Sequence, residues 1–176
     1  MVVAALALAA LVSAVPASPA LGGSGGTGPG GGGGGRHCKS GSQAKISNGR
    51  AIAPCSAPRR IKRVMHAAND IAKGHPYCYG GGHQSFRSSC YDCSGSVSYA
   101  LHGGHLLDSP MPSSGLMSWG SRGRGHWLTV FANSGHAYMT VAGLRFDTSM
   151  TAGGGPGWSG QMRSSDGYRV RHFHRL

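Results

Sequence analysis

Cys93 stands just before a run in which Val97, Ala100 and Leu101 recur at helical spacing, with Asp92 ahead of it and Gly103-Gly104 behind. Asp is a favoured N-cap and a glycine pair ends helices readily, so the pattern predicts a short helix with one buried stripe, beginning at the cysteine. A sulfur in the first helical turn meets unpaired backbone N–H groups and the positive end of the helix dipole, and both favour thiolate over thiol. A sulfur nucleophile needs a base to take its proton and a polar group to fix the base. His136 and Asp147 can serve if they share one face of a hairpin. A two-residue turn at Ala142-Gly143 sets Val141 opposite Leu144, Tyr138 opposite Asp147 and His136 opposite Ser149. His136 and Asp147 then project from one side on a cross-strand diagonal, while Met139 and Phe146 point into a core. A slip of one residue would turn Asp147 to the wrong face.

The remaining elements follow from pattern. Ile61, Val64, Met65, Ala68, Ile71 and Ala72 form one apolar stripe, predicting a helix over residues 58–73 with Pro58 in its first turn, Ser56 as a nearby cap and Gly74 as its stop. Arg59, Arg60, Lys62 and Arg63 lie on the other face, which reads as a solvated surface or a contact for a polyanion. Residues 106–125 read as loop. Period two over 126–131, 135–142 and 144–148 predicts three strands, with a turn at 132–134, a break at 153–157 and a last strand over 168–173. His172 and His174 share one side of that strand and read as exposed and inert. The stretch from Gly74 to Gly82 lacks the Gly-Lys-Ser/Thr ending and the strand-to-helix context of a phosphate-binding loop.

Composition narrows the function. The chain has 176 residues, of which 32 are glycine, so the packed part is expected to span roughly 110–130 residues. Seventeen Lys and Arg against five acidic residues give a net charge of +12, a field that attracts polyanions such as nucleic acid, an anionic cell wall or anionic lipid. So few carboxylates argue against a two-carboxylate mechanism or an oxygen-ligand calcium site. Residues 1–20 resemble a secretory signal peptide with small residues at Ala17 and Ala20, although the usual basic n-region is absent. Its apolar run falls short of the ~20 residues that span a bilayer, so no transmembrane span is expected in the mature chain. Residues 21–36 read as a glycine-rich flexible linker, 37–57 as an irregular arm and 58–176 as the folded domain.

Asp92-Cys93-Ser94-Gly95, preceded by Pro76-Tyr77-Cys78-Tyr79-Gly80-Gly81 and followed about forty residues later by His136 at a strand start, resembles the NlpC-type cysteine peptidases of bacterial cell walls. The resemblance implies an α+β fold with a papain-like core, in which N-terminal helices pack on a small antiparallel sheet carrying the histidine. It implies Cys93 as nucleophile, His136 as base and Asp147 in the third polar position. It also implies an oxyanion met by the Cys93 backbone N–H and the Tyr77 hydroxyl, with Asp92 and Ser94 beside the substrate. Two features depart from that pattern. The third polar residue is commonly histidine, and the strand reads Gly-His-Ala-Tyr-Met-Thr instead of His-Val-Gly-Ile-Tyr. The implied activity is hydrolysis of an amide in peptidoglycan stem peptides by an exported monomer without cofactor. A basic binding module that keeps the fold without the activity and a thioester-using acyltransferase are the alternatives. No dedicated nucleic-acid motif is visible.

Five cysteines in an exported chain leave one unpaired if the others form two bridges, and Cys93 is the natural odd one. Cys38 with Cys55 and Cys78 with Cys90 is the pairing expected, one of three connectivities. The rival chemistry is zinc. Cys90-x-x-Cys93 has ligand spacing, with Cys78, His75 or His83 to complete a site, but a second close pair is missing, so no metal is expected.

Overall fold

Helical periodicity in the first half of the domain and strand periodicity in the second give an α+β fold, seen here in a computed structural model that describes residues 41–150 and 153–176. The expected signal segment, the glycine linker and Cys38 lie outside the described residues. The described residues belong to one compact unit. In chain order it contains β1 (Lys45–Ser47), β2 (Arg50–Ile52), α1 (Arg59–Ile71), α2 (Cys93–Gly103), α3 (Ser113–Leu116), β3 (Ser121–Arg122), β4 (Leu128–Ala132), β5 (Ala137–Val141), β6 (Leu144–Asp147), β7 (Gly157–Ser159) and β8 (Arg169–His172). β1 and β2 pair with each other, and the other six strands form a sheet in the order β3-β8-β4-β5-β6-β7, every pair antiparallel.

The stripe read from the sequence is the buried face of α1, with Ile61, Val64, Met65, Ala68 and Ile71 in the core and Arg59, Arg60, Lys62 and Arg63 exposed. Its ends differ from expectation. Pro58 is the N-cap and offers no side-chain bond, whereas the Ser56 hydroxyl donates to Gly41 O at 2.8 Å. The left-handed residue after the helix is Lys73, with φ 65°, and not Gly74. Its N–H donates to Pro156 O, so a tertiary contact holds a conformation that local propensity disfavours.

The arm over residues 37–57, expected to be irregular, carries the β1–β2 hairpin in its described part. Asn48 and Gly49 both have positive φ, as an Asn-Gly turn requires, but strands of three residues are too short to show alternation. Asn69 on α1 locks this hairpin in place. Its Nδ2 donates to Ala51 O at 2.8 Å, and its Oδ1 accepts from Ala51 N at 2.8 Å and from Trp158 Nε1 at 2.9 Å. One buried amide thus joins β2, α1 and β7, with its polar atoms satisfied. The expected loop over 106–125 contains α3 and β3, and β7 follows the break at 153–157; these elements of two to four residues carry no legible period.

The β5–β6 register is the expected one, with Val141 opposite Leu144 and Met139 opposite Phe146. Ala142 and Gly143 both have positive φ, the geometry of a type I′ turn, whose twist matches the strands on either side. Met139 and Phe146 are fully buried beneath α2.

α2 is buried more completely than one stripe allows, because residues Cys93 to Ser98 are all buried. Its second side is covered by the loop around Gly81 and Gly82, where a Cβ on Gly95 would collide with Gly81 O. The hydroxyls drawn into the core are satisfied, since Ser96 donates to Cys93 O at 2.9 Å and Ser98 pairs with Met111. Gly95→Ala is therefore expected to cost about 1–3 kcal/mol, as overpacking of a closed site does. Urea unfolding of the two proteins checks this, and an unchanged midpoint would show that the loop yields freely.

Candidate active site

The start of α2 is fixed by one carboxylate. Asp92 Oδ1 accepts from Gly95 N at 2.7 Å as the N-cap, and Asp92 Oδ2 accepts from Gly80 N at 3.1 Å. His83 Nε2 adds contacts of 2.9 Å to Asp92 Oδ2 and 2.9 Å to Ser94 Oγ, while the Ser94 hydroxyl donates to Asp92 Oδ1 at 3.2 Å. Asp92 and Ser94, expected beside the substrate, do line the cleft, but their polar atoms are engaged in binding the glycine-rich loop to the helix. The Cys78–Cys90 disulfide closes the base of that loop. Cys90 is therefore committed to sulfur and does not form a zinc pair with Cys93.

Among the described residues Cys93 is the free thiol, 8% exposed, and it lines a cleft of about 340 Å³. Asp92 takes up the N–H groups of Gly95 and Ser96, and the first-turn N–H groups of Cys93 and Ser94 have no acceptor within the helix. Tyr77, Tyr79, His83, Ser94, Pro112, Ser113, Ser134 and Gly135 line the cleft with Cys93. Burial raises the Tyr77 hydroxyl above its ordinary value, with the negative charges of Cys93 and Asp92 adding to the effect, so it keeps its proton.

His136 is delivered from the opposite wall. Asn133 Oδ1 accepts from Gly135 N at 3.0 Å and from His136 N at 2.8 Å, an Asx-type turn that sets the histidine immediately before β5. Its Nε2 lies 3.0 Å from Asp147 Oδ1, and the imidazole is close enough to Cys93 for the sulfur to bear on its charge. Asp147, wholly buried at the end of β6, accepts a second bond on Oδ2 from Arg163 Nη1 at 3.0 Å. With the Nε2 proton directed at Asp147, the Nδ1 lone pair is left for the thiol. The structure thus joins His136 directly to Asp147 and places Cys93 near the imidazole.

The charges are interlocked. The hydrogen bond to Asp147 raises His136 to about 9, with Cys93 adding and burial opposing. Burial would raise Asp147, but the bond and charge of His136, with Arg163 behind them, hold it at about 2. Asp147 therefore adds stability that is complete above its ordinary 3.8 and disappears as pH falls through about 2. His136 adds stability that is complete below its ordinary 6.5 and disappears as pH rises through about 9.

Two participants are absent from the sequence reading. Arg163 lies in an irregular segment, where no periodicity marks it, yet it completes the Asp147 pair and sits over the Tyr138 and Tyr168 rings at 5.3 and 5.8 Å. Its Nη1 is also 3.2 Å from His136 Nε2. His83 was read only as a possible metal ligand, although its spacing from Asp92 across a glycine-rich turn was the available signal. His172, expected to be exposed, is half-buried with Nδ1 3.2 Å from Gly123 O.

A cysteine at the head of a buried helix, packed on an antiparallel sheet that carries the histidine, is the papain-like arrangement expected from the NlpC-type resemblance. Among solved structures, the chain is similar to the P60 domain of an antigen of M. avium subspecies paratuberculosis, at 21% identity and a TM-score of 0.49, covering 64% of this chain and 94% of that one. It is also similar to a hypothetical invasion protein of Mycobacterium tuberculosis, at 20% identity and a TM-score of 0.48, over 73% of this chain and 71% of that one. A third is a variant of the Resuscitation Promoting Factor Interacting protein RipA, at 19% identity and a TM-score of 0.49, over 74% and 71% of the two chains. No family model and no curated protein matches the sequence. The roles given to side chains rest on the geometry of this chain. Asp147→Asn removes the charge but keeps the size, so His136 should titrate well below about 9, towards 6.5. Imidazole titration by NMR checks this, and an unchanged midpoint would mean that Asp147 does not govern the histidine.

Proposed function

We propose that this protein is an exported cysteine hydrolase that cleaves an amide bond in peptidoglycan stem peptides through a thioester on Cys93. The observation that carries the reading is the bonded series from imidazole to buried carboxylate to guanidinium, with the imidazole beside Cys93, a thiol that lines an open cleft. His136 takes the thiol proton, and the thiolate attacks the amide carbon. The oxyanion is met by the N–H groups at the start of α2 and by the Tyr77 hydroxyl. As the C–N bond breaks, His136 returns the proton to the leaving amine. Water then attacks the thioester, His136 accepts its proton, and the carboxylic acid departs as the Cys93–His136 pair is restored.

The net charge of +12 supports retention at an anionic wall, and the exposed basic face of α1 supplies part of it. Among the described residues no helix is long and apolar enough to cross a membrane. Export itself rests on the sequence of residues 1–20. Purified peptidoglycan incubated with the protein should yield new amino and carboxyl termini in its stem peptides by mass analysis. Cys93→Ala should lower their rate of formation by at least about a thousandfold, the scale expected when a nucleophile is lost. Equal release by both proteins would exclude Cys93 as the nucleophile, and products joined to an added amine would identify an acyltransferase.

A further inference from the structure

On the far side of the β4–β5 turn from Cys93, the edge of the sheet gathers positive charge. Arg122 on β3 stands directly opposite Arg171 on β8, and Arg169 lies two residues along β8 on the same face. Like charges facing across an antiparallel pair destabilise it. No carboxylate offsets them: among the described residues, the groove of about 450 Å³ that they enter is lined also by Met117, Ser118 and Tyr168, with no acidic side chain. Arg171 is nonetheless fixed, since its Nε donates to Met117 O. Arg122 and Arg169 are exposed.

This groove is not separate from the cleft at Cys93. It shares Met117, Tyr168 and Arg169 with a second hollow of about 410 Å³, which also includes Asn133 and Ser134. Ser134 in turn lines the cleft that holds Cys93. A trough therefore runs from the sulfur, past the turn that positions His136, to the three arginines. An extended substrate held at Cys93 can lie along it and bring a distant anion to its end. The planar guanidinium fork matches a carboxylate through two parallel bonds.

We propose that Arg122, Arg169 and Arg171 form a subsite for free carboxylates of the substrate peptide, one trough away from the scissile amide. The assignment rests on the reading of Cys93 as a hydrolytic nucleophile acting on such peptides. Peptides with their carboxyl groups free are accepted, and those with the same groups amidated lose the contact.

The test uses binding, so that it does not depend on turnover. A fluorescently labelled stem tetrapeptide, in free-acid and carboxyl-amidated forms, is titrated into full-length Cys93→Ala protein and into the same protein carrying Arg122→Gln and Arg169→Gln. The free acid should bind about tenfold tighter than the amide, as loss of one or two charge-assisted bonds dictates. The double arginine substitution should abolish that difference while leaving the affinity for the amidated form unchanged. Both replaced side chains are exposed, and thermal unfolding together with the single variants verifies that the fold is kept. Equal binding of the two forms, or a preference that survives both substitutions, overturns the proposal. So does an arginine-dependent affinity for a labelled oligonucleotide without one for the peptide, which would assign the groove to phosphodiesters. If the preference is found but the wild type hydrolyses no peptidoglycan, the subsite stands and only the catalytic reading falls.

Discussion

The tight turn at Ala142-Gly143 is the constraint on which the site depends. Two consecutive residues with positive φ force a two-residue connection, and that connection fixes which side chains of β5 and β6 share a face. With Met139 and Phe146 buried on one side, His136 and Asp147 must emerge on the other, near enough to bond at 3.0 Å. Apolar burial thus does more than stabilise the hairpin. A one-residue slip would expose two core side chains and separate the imidazole from its carboxylate, so the register that favours folding is the one that assembles the site.

The opposite wall is organised by polar groups. Asp92 caps α2, anchors the glycine-rich loop through Gly80 N and binds His83, so helix, loop and cleft floor share one buried carboxylate. The Cys78–Cys90 bridge restrains the same loop covalently. Cys55 is also disulfide-bonded; its expected partner Cys38 lies outside the described residues. Among the described residues Cys93 is left as the free thiol, at the helix start that Asp92 caps.

Much of this was legible in the residues because it depends on local rules. The cap at Asp92, the stripe of α1 and the turn at Ala142-Gly143 each follow from a few adjacent side chains, and the His136–Asp147 pair follows from the turn. What escaped reading depends on tertiary contact. Lys73 takes the left-handed conformation because Pro156 holds its N–H, and Asn69 is a keystone only once β2 and Trp158 have arrived around it. Arg163 is sixteen residues from Asp147 in a segment without period, so only the folded chain reveals that it completes the pair. The β1–β2 hairpin is different: Asn48-Gly49 was a readable signal, masked by strands only three residues long.

The central claim is that Cys93 is the nucleophile and that His136, held by Asp147, is the base that serves it. The rate of Cys93 labelling by iodoacetamide at pH 7, compared between the wild type and His136→Ala, tests it most directly, because the imidazole is the group that draws the proton from the sulfur. The account predicts that loss of the imidazole slows labelling by at least about tenfold. An equal rate in the two proteins would contradict it.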